Sequence, residues 1–155
     1  MIKKKEITSL AFIVRDNQIL LGMKKKGFGI GWWDGFGGKL KKGEKIIACA
    51  KRELLEEVGI LANKISKRAK ITFYIDTMQD ELEVHVYKVL SYSGEPVETE
   101  EMKPKWFNIA EIPYDKMWSD DIFWLPLFLA NRKFSAKFWF EDILKMKRYE
   151  FFDIK

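Results

Sequence analysis

The run Gly38-Lys39-Leu40-Lys41-Lys42-Gly43-Glu44, followed after seven residues by Arg52-Glu53-Leu54-Leu55-Glu56-Glu57-Val58-Gly59-Ile60, decides how this chain is read. Its second half predicts a helix over Glu44 to Val58, opened by Gly43 with an acidic residue in its first turn. Gly59 closes it, the residue favoured in the left-handed position after a helix. At about 100° per residue, Ile47, Ala50, Leu54 and Val58 share an arc of roughly 80° and form the core face. Glu57, Glu53 and Glu56 lie progressively round from that arc, so three carboxylates make an acidic band beside the buried stripe. Such carboxylates repel one another and cannot all stay ionised without cations. Opposite a glycine-rich backbone they suit Mg²⁺, which prefers oxygen ligands and keeps waters that phosphates can replace. An ion held between carboxylates and a polyphosphate meets the main needs of phosphoanhydride hydrolysis. Arg52 is expected to pair with a glutamate of the band and hold it in place. An isolated E-x-x-E-E would be read as a solvated helix face; Gly38, Glu44, Arg52 and Gly59 in register with it reverse that reading.

Upstream, Ile7 to Val14 and Gln18 to Met23 read as strands joined at Arg15-Asp16-Asn17, a hairpin. From Gly27 to Gly43 glycines alternate with Trp32, Trp33 and Phe36, a composition for backbone that must come close to something. Downstream, Ile71 to Ile75, Leu82 to Leu90 and Lys103 to Phe107 read as strands. Asp121 to Lys133 reads as a second helix, with Pro126 placed near its first turn. The aromatic tail Phe134 to Phe152 returns as strands. Strand, helix, strands, helix, strands without regular alternation gives an α+β fold with a mixed sheet in a single domain, residues 1–155.

Composition narrows the functional classes. A hydrophobic share of 47% and an aromatic share of 15% are enough to build a core, which excludes a disordered tail protein. The single cysteine, Cys49, permits no internal disulfide and no cysteine-based zinc site. Cys49 reads as a small core residue, and His85, alone on an alternating strand, as a structural histidine. The amino terminus lacks the pattern of a secretory signal, and no apolar stretch approaches the roughly 18 residues of a membrane span. A soluble cytoplasmic protein is expected. The net charge of +5 slightly favours anionic partners, but the lysines are scattered, so no stable nucleic-acid partner is expected.

The two halves of the opening run fill every fixed position of the Nudix box, G-x5-E-x7-R-E-U-x-E-E-x-G-U with U aliphatic. The chain is therefore identified, by resemblance, as a member of the Nudix hydrolase family, which implies a mixed sheet sandwiched between α-helices. By that resemblance Glu53, Glu56 and Glu57 are metal ligands, with Glu56 or Glu57 also close to the attacking water, and the Gly38 carbonyl completes the site. Arg52 belongs to the same catalytic group, and Glu44 is a structural partner. The implied cofactor is Mg²⁺, with Mn²⁺ as a substitute.

Further stretches resemble the oxidised purine nucleoside triphosphatase branch of that family: Gly22 to Gly29, Gly35 to Lys39, Val84-His85-Val86, Pro96-Val97-Glu98, Glu101 to Phe107 and Met117 to Asp121. The implied activity converts 8-oxo-dGTP and 2-hydroxy-dATP to monophosphate and pyrophosphate, sanitising the nucleotide pool, in a monomer. Carried across, Trp118 and Phe28 pack against the purine with Phe73 nearby, Asp120 and Asp121 read its edge, and Ser9 and Lys24 lie near the sugar and phosphates. Glu101 approaches the metals. A flat base needs an aromatic face, and a guanine-type edge offers donors to carboxylates beside an acceptor O6, so one aspartate should hold a proton. The pair Asp120-Asp121 also has the residue type of a helix cap. Asp34 departs from the branch, which has asparagine there. Either Asp34 is protonated, or it turns away, or the preferred base differs from 8-oxoguanine. Rival readings are a Nudix hydrolase for a methylated purine triphosphate or a dinucleoside polyphosphate, and a Nudix module that binds a nucleotide or RNA cap without turnover.

Overall fold

The computed structural model describes residues 4–155. Its strands are β1 (Lys5–Arg15), β2 (Gln18–Lys24), β3 (Trp33–Asp34), β4 (Leu61–Ile75), β5 (Glu81–Ser93), β6 (Met102–Asn108), β7 (Phe134–Asp142) and β8 (Lys145–Phe152). The helices are α1 (Ile46–Val58) and α2 (Asp121–Leu129). The strands join in the order β3-β2-β1-β5-β4-β7-β8, with β6 on β2. The pairs β1/β5 and β4/β7 are parallel and the others antiparallel, so the sheet is mixed as expected.

Alternation along β1 assigns the two layers. Ala11 and Ile13 pack with Leu20, Phe36, Tyr87 and Val89 against Ala50, Leu54 and Val58 of α1. Phe12 points the other way, to Ile71, Val86 and Phe138 and to Trp124, Leu125 and Phe128 of α2. Because successive strand side chains face opposite sides, α1 and α2 cover opposite faces. Among the described residues no helix is long and apolar enough to cross a membrane.

Several boundaries differ from the sequence reading. Helix α1 starts at Ile46, so Glu44 lies before it and its first turn holds no acidic residue. Gly59 does close α1, at φ 72°, with its N–H donating to the Leu55 carbonyl at 3.0 Å. Ile47 is 44% exposed and not part of the core face, while Cys49 is fully buried. The amphipathic period gives the direction of the stripe but not how far along the helix the sheet reaches. Helix α2 stops at Leu129, before Lys133, and Pro126 lies in its interior, beyond the first turn. Strand β4 begins at Leu61, ten residues before Ile71; its first part carries exposed lysines and is held by pairing with β5 instead of by burial.

The feature that positions the site is a parting of strands. β1 and β2 pair only from Ile13/Leu20 to Arg15/Gln18, next to their turn. Beyond that they separate, and residues 36–40 dock on β1: the Ser9 N–H donates to the Gly38 carbonyl at 2.9 Å, and Ala11 and Phe36 exchange two bonds of 2.7 and 3.0 Å. A methyl group at Gly37 would sit inside the van der Waals envelope of the Ser9 carbonyl oxygen. Close approach of two backbones, not a left-handed torsion, is what requires glycine there.

Gly37→Ala should therefore cost at least about 2 kcal/mol in urea denaturation, because backbone must move to admit the methyl group. Gly43→Ala should cost about 1 kcal/mol, since Gly43 has φ 79° but nothing near its added carbon. Equal costs for the two variants would contradict the proposed packing.

Candidate active site

Residues 36–40 bring the backbone of the opening motif against the carboxylates of α1. The Gly37 N–H donates to Glu57 Oε1 at 2.8 Å. An added carbon at Gly38 would fall 2.5 Å from the Glu53 carboxyl carbon, so the glycine leaves room for that carboxylate beside its own backbone. Glu57 is buried, and desolvation pushes its carboxyl up to about 8, with the charges of Glu53 and Glu101 adding to the rise and Gly37 and Lys24 opposing it.

Arg52 organises the other carboxylates. Its Nε and Nη2 donate to the two Glu44 oxygens at 2.7 and 3.0 Å, a bidentate pair, while Nη1 donates to Glu53 at 2.8 Å and Glu56 at 3.2 Å. Nη2 also reaches the Lys39 carbonyl at 3.3 Å. Arg52 holds two members of the band, Glu53 and Glu56, as well as Glu44, which lies outside it. Hydrogen bonds from Arg52 hold Glu44 down to about 2. The planar fork of arginine fits this arrangement, since lysine could not span two carboxylate planes.

A divalent cation fits this donor set. Among the described residues no three Asp, Glu, His or Cys side chains already form a metal cage. Mg²⁺ asks for less than that: it is usually held by one or two carboxylates, with phosphate oxygens and water completing the shell. Glu53, Glu56 and Glu57 could supply those carboxylates, while the Gly38 carbonyl already accepts from the Ser9 N–H at 2.9 Å.

A cavity of about 300 Å³ is lined by Ser9 and Leu10 of β1 and Gly22 and Lys24 of β2, where the two strands have parted. Gly37, Gly38 and Glu57 line one end; Ser9, Lys24, Phe28, Asp34, Phe73, Trp118, Asp120 and Asp121 also line it. Every residue expected to contact substrate therefore shares one cavity with Glu57. Glu53, Glu56 and Glu101 do not line it. Ser9 is buried, with its hydroxyl 3.5 Å from the Cys49 thiol. Trp118 stacks on Phe28 at 5.4 Å and 14°, and on Trp32 at 5.3 Å and 4°. Trp32 was not among the residues expected to contact substrate. Tryptophan in a glycine-rich run carried the signal, but the stacking depends on a tertiary contact with Trp118.

Asp34, Asp120 and Asp121 line the same cavity. Asp120 accepts from the Trp124 indole N–H at 2.7 Å and makes no side-chain cap bond to α2, so the capping role does not hold. Asp121 is 3% exposed and its Oδ2 has no partner among the described residues. Asp34 does not turn away: it faces the cavity, and its Oδ1 accepts from the Gly35 N–H at 2.7 Å. Desolvation is the main cause that raises all three, Asp34 to about 7, Asp120 to about 6 and Asp121 well above the ordinary range. Mutual charge adds for Asp34 and Asp121, and these neighbours share protons as a group. His85 is buried at 2.8 Å from Glu83 and does not line the cavity.

With this geometry in place, comparisons with known proteins are direct. The NUDIX domain family model matches residues 4–128. The chain is similar to a protein of Danio rerio called oxidized purine nucleoside triphosphate hydrolase, 43% identical over 88% of this chain and 87% of that one. It is also similar to the Mus musculus protein of the same name, 42% identical over 86% of each. A solved MutT protein from Bacillus halodurans shares the fold with a TM-score of 0.82, at 24% identity, covering 94% of this chain and 97% of that one.

A carboxyl with a raised folded pKa binds its proton more tightly in the fold than in the unfolded chain. Its contribution to stability is present below the ordinary value of 3.8 and is lost as pH rises through about 7 for Asp34. Asp34→Asn removes that loss while keeping an oxygen for the Gly35 N–H. The variant should melt several degrees above the native protein at alkaline pH, with the gap closing as pH falls towards the ordinary aspartate value. A gap that does not change with pH would contradict the assigned burial.

Proposed function

The chain belongs to the NUDIX family, and from that membership we propose that it hydrolyses oxidised purine nucleoside triphosphates of the 8-oxo-dGTP and 2-hydroxy-dATP type to monophosphate and pyrophosphate. The observation that carries this reading is that one cavity is lined both by aromatic rings and aspartates and by Glu57 with the Gly37-Gly38 backbone. A triphosphate fits such a cavity in one direction, base inward and phosphates towards α1.

In this reading the residues divide the work. Trp118 and Phe28 give the purine a flat apolar face, with Trp32 extending it and Phe73 closing the pocket. Asp120 and Asp121 accept donors of the base edge, and a protonated member of the group donates to an acceptor there. Lys24, with Ser9 near it, offers positive charge towards sugar and phosphates. Gly38, Glu53, Glu56 and Glu57 would hold Mg²⁺, or Mn²⁺ in its place, and Glu101 adds negative charge nearby. When bound, the cation would neutralise charge on the phosphates and lower the pKa of a coordinated water. Glu56 or Glu57 orients the attacking water and takes its proton. Arg52 is a positioning residue: it fixes Glu53 and Glu56 relative to Gly38 and touches no reacting atom. A free-nucleotide substrate fits a cytoplasmic monomer that needs neither a membrane nor a nucleic-acid partner.

Pyrophosphate release should be measured across normal, 8-oxo and 2-oxo purine triphosphates, with and without Mg²⁺. The native protein should prefer an oxidised base and need the metal. Glu57→Gln and Glu56→Gln should each lower kcat by roughly 10²-fold or more, and Arg52→Lys by roughly 10- to 100-fold with less effect on KM. Unchanged kcat in both glutamine variants would overturn the assignment of these residues.

A further inference from the structure

The base end of the cavity carries more carboxyl groups than a neutral purine edge can use. Asp34 of β3 and Asp120 and Asp121 at the start of α2 all line it, against one cation, Lys24 of β2, with Glu57 of α1 further along the wall. Asp120 is engaged by the Trp124 indole, and Asp34 by the Gly35 N–H. Asp121, 3% exposed, has an Oδ2 with no partner among the described residues. The rings of Trp118, Trp32 and Phe28 meet in the same pocket, and their electron-rich faces attract cations.

A neutral guanine-type edge gives adjacent donors to two carboxylates, and the third carboxyl must then hold a proton to avoid an uncompensated buried charge. A purine ring that is itself positively charged removes that need. Its charge balances one carboxylate and lies against aromatic faces, so one of the three carboxyls can give up its proton and remain buried. We propose that the pocket accepts, besides neutral oxidised purines, purine nucleotides whose ring is made cationic by N-alkylation, and that Asp34 sets this preference. The inference rests on the reading of this cavity as a purine nucleoside triphosphate site.

The test compares two isomers that differ in ring charge near neutral pH: 1-methyl-AMP, which is cationic, and N6-methyl-AMP, which is neutral. Calorimetric titration of each into the native protein and into Asp34→Asn gives the affinity ratio. The native protein should favour the cation roughly tenfold, and Asp34→Asn should lower that ratio to within about threefold of unity. A native ratio at or below unity, or a ratio left unchanged by Asp34→Asn, overturns the inference. Asp34→Ser serves for the same comparison if Asp34→Asn does not fold. Hydrolysis of 8-oxo-dGTP is assayed on the same preparation. Turnover without a cation preference sinks only this inference, and a cation preference without turnover sinks only the hydrolase reading.

Discussion

The docking of residues 36–40 onto β1 is the constraint on which the rest of the site depends. Where β1 leaves β2, the glycine-rich segment takes the vacated hydrogen bonds through the Gly38 carbonyl and both polar groups of Phe36. Because Gly37 has no side chain, the two backbones meet, and the Gly37 N–H is left aimed at Glu57. One backbone approach thus ties the helix carrying the acidic band to the strand lining the cavity. Cys49, buried on α1, packs into the same junction within 3.6 Å of the Gly38 and Lys39 carbonyls. Its value there is small size, and no second thiol is present for redox work.

Two electrostatic regimes lie side by side, one on α1 and one in the cavity. At the α1 end, Arg52 draws Glu44, Glu53 and Glu56 together and leaves Glu57 buried, with a carboxyl pushed upward. At the far end no arginine intervenes, and Asp34, Asp120 and Asp121 bear the full effect of desolvation. Carboxylates bound to a guanidinium are fixed as hydrogen-bond acceptors, whereas carboxyls that keep protons can both give and accept hydrogen bonds. Placement relative to one guanidinium separates these roles.

Much of this was legible in the sequence because local rules carried it. The helical period placed Ala50, Leu54 and Val58 on the core face, Gly59 marked the end of α1, and Arg52 was expected to pair with the acidic band, as it does with Glu53 and Glu56. Ile47 was misplaced because the period does not report where the sheet stops. The early half of β4 was missed because Lys64, Lys67 and Lys70 break the apolar signal while backbone pairing with β5 still holds the strand. Trp32 could not be joined to Trp118 from local pattern, since their stacking exists only after the loop before β3 folds over the start of α2. The departure at Asp34 was visible, but only the geometry tells that its carboxyl faces the cavity beside Asp120 and Asp121.

The most direct test of the account is where a cation and a purine nucleotide bind together. Mn²⁺ can be added to isotope-labelled protein carrying 8-oxo-dGMP and followed by paramagnetic broadening of amide signals, with the indole signal of Trp118 reporting the base. The account predicts strongest broadening at Gly37, Gly38 and residues 53–57 together with a nucleotide-induced shift of Trp118. Broadening confined to another acidic segment, such as residues 80–83, or no shift at Trp118, would contradict it.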